Sequence, residues 1–234
     1  MDAIIRKLKE GADISAHLSK GILSGYAPTK TNTKNLHNRK DLDLLLNDWG
    51  IHHLHLSNVI EPNRFVTRGD LLLFVIFSHA RAYMLDIAPH GCWTEQRLVE
   101  VAVNNWPEDE LFVDLKGIMP EPAISAKDRT NFRRVGVATS VNVNGKAYMS
   151  RTGGLTLAGT SGTVTVQATR LHKRIKELPD QCRNNPDDLR PHFQEAHGQW
   201  PANPEFHLEF ISSQVGFHFA IREQRSGALL LVWP

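Results

Sequence analysis

The stretch that decides the fold is IHHLHL, which runs from Ile51 to Leu56. Two further apolar stretches follow it: LLLFVIFS at residues 71–78 and AYMLDIA at residues 82–88. Each stretch is short and is bounded by turn-forming residues, a pattern that is typical of strands. We therefore predict a small antiparallel meander, with a tight turn from Ser78 to Arg81.

Helices are predicted before and after this meander. Residues 1–23 carry apolar residues at helical spacing, interrupted by Gly11, and a short helix is expected at residues 41–47. The polar segment 24–40 between them is predicted to be a loop or a loose basic arm. After the meander, Thr94 is the expected N-cap of a helix that Pro107 stops, and residues 111–115 are typical of one further strand.

The second half of the chain opens after a change in composition. Residues 117–130 are rich in proline, serine and isolated charges, so we place a domain boundary there. Asn144-Gly145 between two alternating segments predicts a β-hairpin. A helix is expected at residues 164–178, and three strands at 206–211, 215–222 and 228–233. The predicted fold is α+β, with an N-terminal domain at residues 1–118 and a second α+β domain at residues 131–234.

Composition excludes several classes of protein. The chain has 234 residues, of which 41% are hydrophobic and 22% are charged, as in ordinary globular proteins. Its longest apolar run, from Leu71 to Phe77, is far shorter than the roughly 20 residues of a membrane helix. Only two cysteines occur, which excludes a disulfide scaffold or a cysteine-rich zinc site. Charges near the N-terminus argue against a signal peptide. We expect a cytoplasmic protein without a membrane segment.

Histidines are the main functional indication. The chain contains 12 of them, and three lie within the stretch Ile51 to Leu56. Side chains alternate between the two faces of a strand. If Leu54 and Leu56 face the core, His53 and His55 lie side by side on the opposite, open face. The third strand ends near His90, which a compact meander would bring close to that pair.

These histidines are candidates for general acid/base catalysis. Histidine gains and loses a proton near neutral pH, so one imidazole can take a proton from a ribose 2′-hydroxyl while another protonates the leaving oxygen. Arg64, Arg68 and Arg81 lie in or next to the loops of the meander, where a guanidinium group can hold a phosphate. The pattern therefore favours cleavage of RNA without a metal or another cofactor.

Two other interpretations stay open. His53, His55, Asp86 and His90 could instead be ligands of zinc or manganese in a metal-dependent hydrolase. The sheet could also belong to a binding module for nucleic acid or protein that has no catalytic activity, with the histidines as ordinary polar residues.

The same block resembles the RelE-like and barnase-like ribonuclease toxins. The resemblance covers residues 42–106 and lies in WGIHHLH at residues 49–55, LLLFVIF at 71–77 and AYMLDIAPH at 82–90. It implies N-terminal helices before an antiparallel sheet that binds RNA and cleaves it without metal. By it, His53 and His55 are acid/base residues, His90 is the late-strand histidine, and Arg64 or Arg68 holds the phosphate. It also implies a toxin or phage-defence effector with an inhibitory, antitoxin-like protein partner.

The second half is expected to assist binding. Its helix carries Arg170, Lys173 and Arg174, which form a basic surface that can contact the backbone of RNA. The mild net charge of +2 permits binding to a polyanion without requiring it. The sequence therefore predicts an RNA-cleaving N-terminal domain and a C-terminal domain that binds substrate or a partner.

Overall fold

The computed structural model describes residues 2–21, 42–120, 122, 124–184, 186–213 and 216–233. Within these residues the protein is α+β, as predicted, with six helices and three antiparallel three-stranded sheets. The basic arm expected at residues 24–40 lies outside the described residues. The chain divides into two compact units, Met1–Gln167 and Ala168–Pro234.

The first unit contains four helices and two of the sheets. The helices are α1 (Asp2–Glu10), α2 (Leu44–Trp49), α3 (Arg97–Asn105) and α4 (Ala126–Arg134). The strands are β1 (His52–His55), β2 (Leu71–Phe77), β3 (Ala82–Pro89), β4 (Phe112–Asp114), β5 (Val141–Val143) and β6 (Lys146–Ser150).

Strands β1, β2 and β3 form the predicted antiparallel meander, with β2 in the centre. His55 pairs with Leu72, and Leu72 in turn pairs with Ala88. The end of β1 and the end of β3 therefore lie on either side of the start of β2. This register brings the residues that follow β3 to the end of the meander where His55 lies.

Both faces of this sheet are buried, because its two sets of alternating apolar side chains enter different cores. Ile51 and Phe74 join the larger core, together with residues of α2 and α3. Leu54 and Val75 join a smaller core that includes Ile4 of α1. The face that carries His53 and His55 is therefore covered, although the sequence predicted it to be open.

The helix after the meander begins later than predicted. The hydroxyl of Thr94 donates to the carbonyl oxygen of Ala126, 3.0 Å away, and so does not cap α3. Thr94 instead ends the short 3-10 helix Cys92–Thr94, and α3 begins at Arg97. The helix ends at Asn105, just before Trp106 and the predicted stop at Pro107.

The segment predicted as a domain linker contains α4. Ser125 caps this helix, since its hydroxyl accepts from the backbone N–H of Asp128 at 3.1 Å. The next hairpin, β5–β6, pairs with β4 in the sheet order β4-β6-β5. Because this sheet joins strands from both sides of the expected linker, the structure divides at Gln167 rather than within residues 119–130.

The β5–β6 hairpin confirms the Asn-Gly signal. Asn144 and Gly145 both have positive φ, 52° and 76°, which is the backbone of a type I′ turn. Strands β5 and β6 pair from Val141↔Tyr148 to Val143↔Lys146, immediately beside this turn.

The boundary between the two units falls within α5 (Gly162–Asn184). The second unit also contains α6 (Arg190–His197), β7 (Phe206–Ser213), β8 (Gly216–Glu223) and β9 (Leu229–Trp233), and the three strands form a meander as predicted. Its core contains Leu178, Phe193, Ile221, Ala228 and Leu230. None of the helices in the described part of the chain has the length and apolar character needed to cross a membrane.

Candidate active site

A cavity of about 370 Å³ lies in the first unit, beside the ends of β1 and β3. Its walls come from the N-terminal segment, α2, the meander with its following 3-10 helix, and α4. The lining residues include Ser19, Asp43, His53, His55, Arg68, His90, Trp93, Thr94, Thr130, Arg133 and Arg134. All three predicted catalytic histidines are among them.

The three imidazoles lie close together, as the alternation and the register imply. The ring centroids of His53 and His55 are 5.9 Å apart, and those of His55 and His90 are 5.6 Å apart. The indole of Trp93 packs edge-on against His53 at 4.6 Å and against His90 at 5.6 Å. Rings at these separations can contact one small group that lies between them.

His53 and His55 are buried, which corrects the expected open face. The His55 residue is 6% exposed, and the His53 side chain is 12% exposed. α2 and the turn that carries Trp93 cover this face of β1, because Ile51 and Phe74 require an apolar partner there. Only His90 is exposed. The site is thus a pocket rather than a flat sheet surface.

Hydrogen bonds to the backbone position the strand and the third histidine. Nδ1 of His17 lies 2.8 Å from the carbonyl oxygen of His55, and Nζ of Lys7 lies 3.1 Å from Nε2 of the same ring. A lysine ammonium group only donates, so His17 accepts at Nε2 and donates from Nδ1. Nε2 of His90 lies 3.1 Å from the carbonyl oxygen of Gly69 and donates to it, because a carbonyl oxygen only accepts.

Burial and nearby positive charge keep two of the imidazoles neutral. Burial, followed by the charges of His90 and Arg68, lowers the pKa of His53 to about 4. Burial likewise lowers the pKa of His55 to about 4, helped by His53, His90, Arg68 and Lys20. Both rings are therefore unprotonated at neutral pH and are able to accept a proton.

Asp43 supplies a carboxylate to the same cavity. It is the N-cap of α2, since its Oδ1 accepts from the backbone N–H of Leu46 at 3.1 Å. Its Oδ2 lies 3.4 Å from Nδ1 of His53. Burial raises the pKa of the Asp43 carboxyl, opposed by the hydrogen bond from Leu46 and the charge of His52. The carboxylate is positioned to orient the His53 ring.

Arg133 reaches the cavity from α4. Its Nε donates to Oδ2 of Asp48 at 2.6 Å, and both side chains are 3% exposed. Its Nη1 donates to the backbone oxygen of Trp93, and its guanidinium lies 4.2 Å from the centre of the Trp49 ring. These contacts fix the orientation of the guanidinium group beside the histidines.

Of the three arginines predicted from the loops of the meander, only Arg68 lines the cavity. Arg64 is exposed and is not part of the cavity wall. Arg81 pairs with Asp109 at 2.7 Å and lies at the opposite end of the meander, where Phe77 pairs with Ala82. The turn between β2 and β3, which carries Arg81, closes the end of the meander away from His55. Arg64 lies in the loop directly after β1, but the structure does not bring its side chain to the cavity wall. A contact of either residue with phosphate stays a prediction.

The basic residues predicted on the helix of the second half, which is α5 in the structure, lie in the second unit. Arg170 and Lys173 are exposed on α5, and Arg174 is partly buried. Nζ of Lys173 lies 3.7 Å from the carboxylate of Glu177, one turn further along. Their predicted contact with RNA remains a prediction.

The alternative metal site loses one of its four ligands. Oδ1 of Asp86 accepts from Arg97 of α3 at 2.6 Å, and Asp86 is not part of the cavity wall. Across the described ranges, no three histidine, cysteine, aspartate or glutamate side chains are placed to share one metal ion.

Sequence reasoning missed Asp43, Trp93 and Arg133. A signal for α4 was present, because Ser125 and Asp128 have the spacing of a helical N-cap and its partner. Arg129 and Arg133 then follow one helical turn apart, yet both are buried. The proline and glycine residues around this helix hid the pattern.

Comparison with protein-family models, with curated proteins and with solved structures gives no match to this chain. The resemblance to ribonuclease toxins therefore stays a prediction from the sequence.

Proposed function

We propose that this protein cleaves RNA without a metal ion, using His53, His55 and His90 for proton transfer. The observation that supports this most directly is the position of the His55 ring, whose centroid lies 5.9 Å from that of His53 and 5.6 Å from that of His90, on a cavity that Arg68 also lines. Two imidazoles can act as general base and general acid in phosphodiester cleavage through the 2′-hydroxyl, and a guanidinium can stabilise the charge on the phosphate.

In the proposed reaction, the ribose 2′-oxygen attacks the adjacent phosphorus atom. A neutral imidazole, His53 or His55, takes the 2′-hydroxyl proton as the new P–O bond forms. The bond from phosphorus to the 5′-oxygen breaks, and His90 donates a proton to that oxygen. Arg68 stabilises the negative charge that develops on the phosphate. The products are a 2′,3′-cyclic phosphate and a 5′-hydroxyl end.

The size of the cavity favours flexible substrate. Its volume of about 370 Å³ accommodates roughly one nucleotide and not the width of a double helix. A phosphate enters such a pocket when the strand can bend around it. We therefore propose single-stranded RNA as the substrate. The accompanying proposals, a cytoplasmic toxin or phage-defence effector with an inhibitory protein partner, come from the sequence resemblance alone.

The test compares purified wild type with His53→Ala and His55→Ala on a short single-stranded RNA. Loss of the general base lowers the cleavage rate by about 100-fold or more. His79→Ala is the matched control, because His79 is exposed in the turn between β2 and β3 and does not line the cavity. A substrate with a 2′-deoxy sugar at the cleaved position should bind and remain intact.

Each alternative gives a different result. A metal-dependent hydrolase would lose activity on treatment with a chelator and would cut the 2′-deoxy substrate. A binding module would hold the RNA and leave it intact in wild type as well as in the variants. Either outcome would overturn the proposed function.

A further inference from the structure

The cavity is lined by side chains with buried nitrogen atoms that make no hydrogen bond within the described part of the chain. These atoms are Nδ1 of His55 and Nη2 of Arg133. Nδ1 of His53 also makes no hydrogen bond, but it lies 3.4 Å from Oδ2 of Asp43. A buried polar atom without a partner costs free energy that a bound polar group can recover. Two such atoms on side chains that line one cavity indicate that the cavity binds a polar ligand.

The charges around the cavity indicate that this ligand is an anion. Among the described residues, Arg68, Arg133 and Arg134 line it, and Asp43 contributes a carboxylate. The carboxylate of Asp48 pairs with Nε of Arg133 from outside the cavity wall. For this described part of the cavity, one positive charge remains after both carboxylates are counted and before any histidine takes a proton.

Arg133 is fixed in place before a ligand arrives. Asp48, the backbone oxygen of Trp93 and the face of Trp49 hold its Nε, its Nη1 and the flat side of its guanidinium. Of its three nitrogen atoms, Nη2 is the one without a hydrogen-bond partner among the described residues, and a guanidinium group donates hydrogen bonds but does not accept them. A preformed donor of this kind binds an oxyanion with little loss of side-chain entropy.

We infer that Arg133 is a phosphate-binding residue, which holds a phosphate group of the RNA strand through Nη2 while Arg68 contacts the same group. The identification of the ligand as an RNA phosphate rests on the proposed function. The anion site itself rests on the cavity and its unpaired nitrogen atoms.

The experiment uses inorganic phosphate as the probe and Arg133→Lys as the variant. Lysine keeps a positive charge beside Asp48 but cannot fill the positions of Nε, Nη1 and Nη2 together. We expect the affinity for phosphate, measured by calorimetric titration, to fall by about 10-fold to 100-fold. Arg129→Lys is the matched control, because Arg129 lies on the same helix, is buried, and stacks 5.2 Å from Trp49, yet does not line the cavity.

A second measurement uses the wild-type protein, so its result does not depend on whether Arg133→Lys folds. In the wild-type protein, the side-chain nitrogen resonances of Arg133 should shift with added phosphate at the same concentrations as the ring resonances of His53. An Arg133 signal that does not respond, or an unchanged phosphate affinity in folded Arg133→Lys, would overturn the inference.

Activity separates this inference from the proposed function. Phosphate binding through Arg133 in a protein that leaves RNA intact would support the anion site and overturn the nuclease. Cleavage of RNA by Arg133→Lys with unchanged KM and kcat would overturn the role of Arg133 while the nuclease stands.

Discussion

His53 and His55 take up a proton less readily than histidines on a protein surface. Both rings are buried beside other positive groups, and each has a pKa of about 4. A negatively charged phosphate in the cavity would oppose the effect of Arg68 and His90 and raise both values. The protonation of the site would thereby be coupled to the presence of a bound phosphate.

The same burial makes the stability of the protein depend on pH. A histidine in the unfolded chain titrates near pH 6.5, so between 6.5 and about 4 the unfolded state binds more protons than the folded state. The free energy of unfolding should have its full value above pH 6.5. It should fall on acidification, by up to about 1.4 kcal/mol per pH unit for each histidine. Asp43 opposes this loss of stability at low pH, because burial raises the pKa of its carboxyl and the folded state then binds a proton more readily than the unfolded state.

Urea denaturation at a series of pH values measures this effect. His55→Asn should flatten the loss of stability between pH 6.5 and about 4, because asparagine does not titrate. His79→Asn, on the exposed turn between β2 and β3, should leave the slope as in wild type. Equal slopes in wild type and His55→Asn would show that His55 titrates normally in the folded protein.

At the scale of secondary-structure elements, α4 depends on charged side chains for its attachment. Arg129 and Arg133 are both buried, and they point to Trp49 of α2 and to the backbone of Trp93 and Thr94. The carboxylate of Asp48 compensates the charge of Arg133. A buried pair of this kind is strongly destabilising when one partner is removed.

Asp48→Ala should therefore lower the free energy of unfolding by about 3–5 kcal/mol. Asp109→Ala is the contrasting variant, because Asp109 pairs with an Arg81 side chain that is 65% exposed. An exposed pair contributes less than about 1 kcal/mol. Chemical denaturation of both variants checks the difference, and similar losses would show that burial does not govern the strength of the Asp48–Arg133 pair.

Local patterns in the sequence were sufficient to predict the meander and the Asn144-Gly145 hairpin, because alternation and turn residues act over a few positions. The convergence of His53, His55 and His90 also followed from strand order. The cover over the histidine face comes from α2 and the turn that carries Trp93, and Arg133 of α4 bonds to both of them. It could not be predicted, since it depends on residue 133 reaching back to Asp48. Pairing over 85 positions leaves no local pattern to recognise.

On the scale of the whole molecule, every residue that lines the cavity belongs to the first unit. The basic residues Arg170 and Lys173 belong to the second. If α5 contacts the RNA backbone, its contribution should depend on substrate length and on salt, because binding to phosphates releases counterions.

The double variant Arg170→Ala/Lys173→Ala should cleave a dinucleotide at the wild-type rate. With a long single-stranded RNA, its affinity should fall less steeply with salt, the slope of log K against log salt decreasing by about 1.4 for two lost contacts. Affinity measurements at several salt concentrations test this. An unchanged slope would mean that these two side chains do not contact the strand.

The hydrogen bond from His17 to the carbonyl oxygen of His55 joins positions 38 residues apart. α1 precedes His17 in the chain. Its Ile4 packs against one face of the sheet, and its Lys7 forms a hydrogen bond with the imidazole of His17. A protease that trims the chain before His17 would thus remove the support behind the histidine strand without touching the strand itself. Loss of N-terminal residues during preparation would be mistaken for a lack of the proposed activity, so the intact mass should be verified before any assay.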